Sequence, residues 1–284
     1  MTIDMFVHPG FIDVICNDPE RVAFRRKYFG LYKQHVWPLE LVFLQMDAAG
    51  IDKAVLMPED LATQANGSIV TNEEIAELVK VAPSRFIGFA SVDPNSPDCA
   101  DKLIHAVDVL SLSGLHLNPS TQQFYPDDDK LAPLYEICVK RNIPIVMDIG
   151  MSLEPSAPSK FAQPLHMEDV LLQYPKLRIC AAHFGFPWVT ETATLMLRYP
   201  NLYADTGLLY FDSPKEFFAQ IFGSQLGMHW IDRSLNNQVM FASNYPRIEQ
   251  LRMVEAVRSM KLRDITLHKI MGKNAEIFLK GETN

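Results

Sequence analysis

A chain of 284 residues that is 48% hydrophobic and 21% charged is too apolar for intrinsic disorder and long enough for one large domain or two modest ones. Its formal net charge of −8 excludes a broad nucleic-acid surface, which needs a clustered excess of Lys and Arg to meet phosphates. No basic stretch followed by an apolar run opens the sequence and no run of about eighteen apolar residues occurs, so the expectation is a soluble cytoplasmic protein with no membrane partner.

In chain order, the first strand-like run is IDMFVH, which ends at His8 before a Pro-Gly turn. About residues 9–38 then form a connection longer than barrel loops usually are. It carries Arg21, Arg25, Arg26 and Lys27 beside Tyr28, Phe29, Tyr32 and Trp37. Two readings fit it: a lid that brings cations to an anionic substrate, or an amphipathic helix whose basic face is solvated. KAVLMP follows and ends at Glu59; NEEIAELVKVAP has helical spacing, with Asn72 as its expected cap; RFIGFASV ends at Asp93. GLHLN supplies His116 and Asn118 and leads to DKLAPLYEICVKRN, a helix with Asp127 as expected cap. PIVMDIG ends at Asp148, RICAAHFG reaches His183, NLYADTG holds Asp205, and QVMFASN reaches Asn244, with Arg247 three residues on.

Strand followed by helix, repeated eight times, predicts a closed parallel (β/α)8 TIM barrel. A doubly wound sheet would place a Gly-rich phosphate loop after its first strand, where this chain has HPGFIDV. No linker or charge block divides the sequence, so one domain over 1–284 is expected. Cys16, Cys99, Cys138 and Cys180 lack CxxC spacing and read as buried thiols.

Barrel sites are built at the C-terminal ends of the strands, where packing alone would favour Val, Ile and Leu. Here the endings are polar throughout. Glu59 and Asp93 also suit ordinary turns, and Asp205 a loop cap. His105, His229 and His268 lie in helical stretches and suit surface or core positions; His35 and His166 point neither way. His183 leaves a buried run where the chain turns to solvent, and His8 does the same. A carboxylate after PIVM, Asp148, needs a histidine or metal partner to be buried at tolerable cost.

Together IDMFVH, GLHLNPSTQQFYPDDD, PIVMDIG, AAHFGFPW, NLYADTG, FASNYP and HKIMGKNAEIFL resemble, in order and almost end to end, the amidohydrolase-related family. That family includes aminocarboxymuconate semialdehyde decarboxylase, aromatic-acid decarboxylases and lactone hydrolases. The resemblance implies a divalent metal on a His-x-His pair of the first strand, a His of the fifth and an Asp of the eighth, with a sixth-strand His nearby. This chain has Phe6, Asp148 and Asn244 at three of those places; only His8 and His183 match, and His116 stands where relatives often carry Lys. Phe cannot ligate and Asn replaces an anionic ligand weakly, so no cofactor is expected. The alternative is zinc or manganese in a rearranged cage of His8, His116, Asp148 and His183.

The expected activity is a lactonase-like hydrolysis of a small carboxylated or aromatic-derived substrate. Asp148 orients His183 or His8 to activate water, and His116 and Asn244 donate to the oxyanion. Arg247 holds a carboxylate, with Asn118 and Trp188 completing the substrate contacts. A metal-dependent decarboxylase and a non-catalytic ligand-binding barrel are the alternatives. The aromatic residues Tyr210, Phe211, Phe217, Phe218 and Trp230 suit either core and pocket walls or the interface of a homo-oligomer.

Overall fold

The computed structural model of the chain describes residues 1–65, 67–152, 154, 156–207 and 213–281. The expected strand runs become eight parallel barrel strands. The first is Ile3–Val7 and the second Lys53–Leu56; the third is split into Phe86–Gly88 and Ala90–Ser91. Leu115–Leu117, Ile145–Met147, Ile179–Ala181, Leu202–Asp205 and Val239–Met240 follow as the fourth to the eighth. Parallel strands covered on both faces call for apolar runs rather than alternation, and every residue of the first strand is buried.

Neighbouring strands pair from first to third and from third to eighth. Across the split third strand, Phe89 N donates to Leu56 O at 3.1 Å and Ala90 N to Gly114 O at 2.8 Å. Met5 N donates to Phe241 O at 2.9 Å, Asn244 N to Phe6 O at 3.0 Å and His8 N to Tyr245 O at 2.8 Å, so first and eighth strands close the ring. Period-2 alternation then divides the core. Leu115, Leu117, Ile145, Met147, Ile179 and Ala181 pack outward with the helices, whereas Phe6, Phe89, Val146, Cys180 and Met240 form a second buried cluster inside. His116, between Leu115 and Leu117, and Asp148, two residues beyond Val146, fall on the inner face by the same alternation.

Several local expectations are corrected. Glu59 opens a hairpin, Glu59–Leu61 paired antiparallel with Gly67–Val70, rather than an ordinary turn. The helix Asn72–Val81 is capped by Thr71, whose hydroxyl accepts from Glu74 N while the Glu74 carboxylate accepts from Thr71 N. Asn72 is the next residue and bonds Ser91 instead. Asp127 caps nothing; it faces His166 at 3.2 Å.

The long first connection contains the helix Pro19–Phe29, capped by Asp18 and ended by Gly30 at φ 64°. Its basic face is not simply solvated, because Arg25 is 1% exposed. Arg25 donates to the carbonyls of Ile69, Gly10 and Ile15 and forks onto both oxygens of Glu74 at 2.8 and 2.7 Å. The four cysteines are free and buried. Phe217 and Phe218 are core residues and Trp230 is half-buried; Tyr210 and Phe211 lie outside the described residues. No helix among the described residues is long and apolar enough to cross a membrane.

Candidate active site

The inner face of the strands delivers a polar cluster to the C-terminal end of the barrel. Asp148 is its centre. Its Oδ1 lies 3.3 Å from His116 Nε2 and 3.7 Å from His183 Nε2, and its Oδ2 accepts from Asn118 Nδ2 at 2.9 Å. His116 Nδ1 lies 2.6 Å from Pro58 O, and since a carbonyl only accepts, that nitrogen carries hydrogen. Nε2 is thereby turned to Asp148.

These contacts set the charges. Burial pushes the Asp148 carboxyl up, but the charge and hydrogen bond of His116, with His183 and His8, outweigh it and hold it below the ordinary carboxylate value. Burial by itself lowers His116; Asp148, Glu59 and the Pro58 carbonyl reverse this and raise it above the ordinary histidine value. His8 goes the other way: burial and the neighbouring His116 charge push it down to about 3, so it stays neutral.

His183 is held by backbone geometry. The chain is left-handed at His183 (φ 59°) and Phe184 (φ 52°), a conformation that costs about 1–3 kcal/mol per residue and gathers at functional sites. Asp205 Oδ1 brackets the turn by accepting from His183 N and Gly207 N, each at 2.9 Å. A Cβ at Gly207 would come within 3.0 Å of His183 Nδ1, so only glycine lets the backbone pass there without displacement. His183 Nδ1 itself is buried and has no hydrogen-bond partner among the described residues.

A cavity of about 60 Å³ opens on this cluster, lined by His8, Asn118, Asp148, His183 and Arg247 among the expected residues. His116 stands behind Asp148, fully buried with both ring nitrogens engaged. Asn244 is likewise fully buried, left-handed at φ 59°, and neither it nor Trp188 is on the cavity wall. Neither His116 nor Asn244 is therefore placed to donate to a substrate oxyanion.

Three residues not singled out for the site join it. Glu59, 3% exposed, accepts from Asn118 Nδ2 at 3.0 Å and Thr121 Oγ1 at 2.7 Å, and Tyr28 lines the same cavity beside it. Asn118 thus bridges two carboxylates. Burial raises the Glu59 carboxyl, so the pair is split, Glu59 high and Asp148 low. The sequence signal was available: Glu59 follows an apolar run, as Asp148 does.

Residues 35–280 match the amidohydrolase family model. The chain belongs to the amidohydrolase family. Three solved structures illustrate the likeness. A TIM-barrel protein of uncharacterized activity from Bordetella bronchiseptica is 24% identical, with 99% of each chain covered and a TM-score of 0.78. A dihydroxybenzoic acid decarboxylase from Polaromonas, with bound manganese and the inhibitor 2-nitroresorcinol, is 17% identical; 99% of this chain and 98% of that one are covered at TM-score 0.66. A 5-carboxyvanillate decarboxylase from Novosphingobium aromaticivorans, also with bound manganese, is 21% identical, with 99% and 97% covered at TM-score 0.64. At these identities the likeness establishes the shared barrel. No curated protein matches the sequence.

Manganese in two of these similar structures corrects the expectation that no cofactor goes with a site of this kind. The donors of this chain nevertheless fit such an ion poorly as they stand. The Phe6 ring makes edge contacts with the imidazoles of His8, His116 and His183, at centroid distances of 5.0, 5.4 and 4.8 Å, and so occupies the space among them. Among the described residues no three His, Cys, Asp or Glu side chains are placed to hold a metal ion together. The rearranged four-residue cage is therefore not assembled in this arrangement.

Proposed function

We propose that this amidohydrolase is a decarboxylase of a small aromatic carboxylic acid. One observation carries the reading: an ionised Asp148, backed by His116 and faced by His183, shares one cavity wall with Arg247. That set is suited to draw in an anionic acid and to move a proton within it. The two manganese-bound relatives are decarboxylases of aromatic acids, which supports the same class.

Arg247 orients the incoming carboxylated ring. His183 carries the proton to the ring carbon, and Asp148 stabilises its imidazolium. The bond from that carbon to the carboxyl group breaks, its electron pair remains on the ring carbon and takes up the proton, and carbon dioxide leaves. Neutral His8, against the Phe29 ring at 5.0 Å, gives the departing group an uncharged wall. No step is assigned to a metal, because the donors do not gather around one.

Lactonase-like hydrolysis, the first expectation from the sequence, is less well supported. Its oxyanion donors, His116 and Asn244, are off the cavity wall, and both named enzymes lose carbon dioxide rather than add water.

The test is carbon dioxide release from a panel of hydroxybenzoates and lactones, assayed with and without manganese. Release matched to loss of the acid, lowered about 100-fold or more in Asp148→Asn, is the expected result. Lactone opening without carbon dioxide release would overturn the reading.

A further inference from the structure

The catalytic cavity is too small for the whole of a typical ligand. Its volume of about 60 Å³ leaves room for a compact head only, against roughly 300–1,000 Å³ for small-molecule sites in general. A second chamber of about 570 Å³ adjoins it, and Tyr28, Thr121 and Glu154 line both. The two volumes therefore meet across these three side chains.

The outer chamber has its own chemistry. Leu61 and Ala157 are buried on its wall, and Phe24 presents a ring that is 41% exposed. Lys27, one helical turn from Phe24 on the same face, is the one Lys or Arg among its described lining residues. Glu154, at the neck, accepts from Ser156 Oγ at 3.0 Å and so is turned into its own loop. The helix that carries Phe24, Lys27 and Tyr28 is pinned by Arg25, so this wall is in place before a ligand arrives.

We propose that the outer chamber is a second substrate subsite, taking a flat aryl arm with an anionic end that is attached to the carboxylated head in the inner cavity. The assignment rests on the decarboxylase reading for the head. The aryl face lies against Phe24, Leu61 and Ala157, and the distal anion lies beside Lys27.

Isothermal titration calorimetry of the whole protein tests it with two probes, salicylate and salicylate bearing a para-carboxyphenyl arm. The arm is expected to tighten binding about tenfold or more. Phe24→Ala and Lys27→Ala, both on an exposed helix face, abolish most of that gain and leave salicylate unchanged; Arg247→Ala weakens both probes. Equal affinities in the parent protein, or a gain that survives both outer substitutions, overturn the subsite. A gain that needs Phe24 and Lys27 but not Arg247 sinks the reading of the head and leaves the subsite standing. Failure of both probes to bind overturns both.

Discussion

Asp148 and His116 titrate as partners, and the sign of each shift fixes where their contact contributes. The lowered Asp148 carboxyl stabilises the fold above the ordinary carboxylate value, and this is lost as pH falls through its folded value. The raised His116 imidazole stabilises it below the ordinary histidine value, and this is lost as pH rises through its folded value. The contact is thus strongest between those limits, across mildly acidic pH. In a nitrogen-15 NMR titration, the His116 midpoint should lie above that of a free histidine and drop in Asp148→Asn. A midpoint unmoved by the substitution would remove Asp148 as the cause. Asp148 was legible because a carboxylate after PIVM demands a partner. That its closest histidine is His116 rather than His183 or His8 was not, since a separation of 32 positions in the chain carries no distance information.

At the scale of elements, the first connection is decided by one side chain. Arg25 spends its guanidinium on three carbonyls and a carboxylate, all buried, and thereby holds the helix Pro19–Phe29 over the cavity. Arg25→Met leaves Glu74 with Arg21 but strands the buried carbonyls of Ile69, Gly10 and Ile15, so it should cost at least about 1–3 kcal/mol in urea denaturation. If the variant remains folded, it should also raise KM through Tyr28 and Phe29. A loss below about 1 kcal/mol would mean that the helix is held by its apolar face instead. The composition of this segment gave the cations but could not rank them: Arg21, Arg25, Arg26 and Lys27 look alike until Glu74 pairs with both Arg21 and Arg25 and packing buries only Arg25. The caps failed by one residue for a related reason, since Thr71 and Asn72 both suit an N-terminus and only the Glu74 reciprocal bond selects Thr71.

Across the whole molecule, barrel closure depends on Asp4 meeting a segment 239 residues away. Asp4 accepts from Ser243 N at 2.8 Å, Ser243 Oγ at 2.5 Å and Gln250 Nε2 at 2.9 Å, all in the buried interior. Burial raises its carboxyl to about 6 against these hydrogen bonds. The folded state therefore holds the Asp4 proton to higher pH than the unfolded chain, and this group's contribution declines as pH rises from about 4 through 6. Asp4→Ala orphans the Ser243 and Gln250 donors and should destabilise the barrel by about 1–3 kcal/mol, read from chemical denaturation. No measurable loss would place closure on the backbone ladder alone. The sequence by itself determined the barrel, because strand and helix periods are local and eight of them in order leave few topologies; it also determined which strand ends are polar. Only the tertiary structure decided which of those groups reach one another. It drew Glu59 and Tyr28 in, left His116 behind Asp148, kept Asn244 and Trp188 off the wall, and set the Phe6 ring among three imidazoles. Distances across a barrel are fixed by closure and packing, and neither is written in any local stretch of chain.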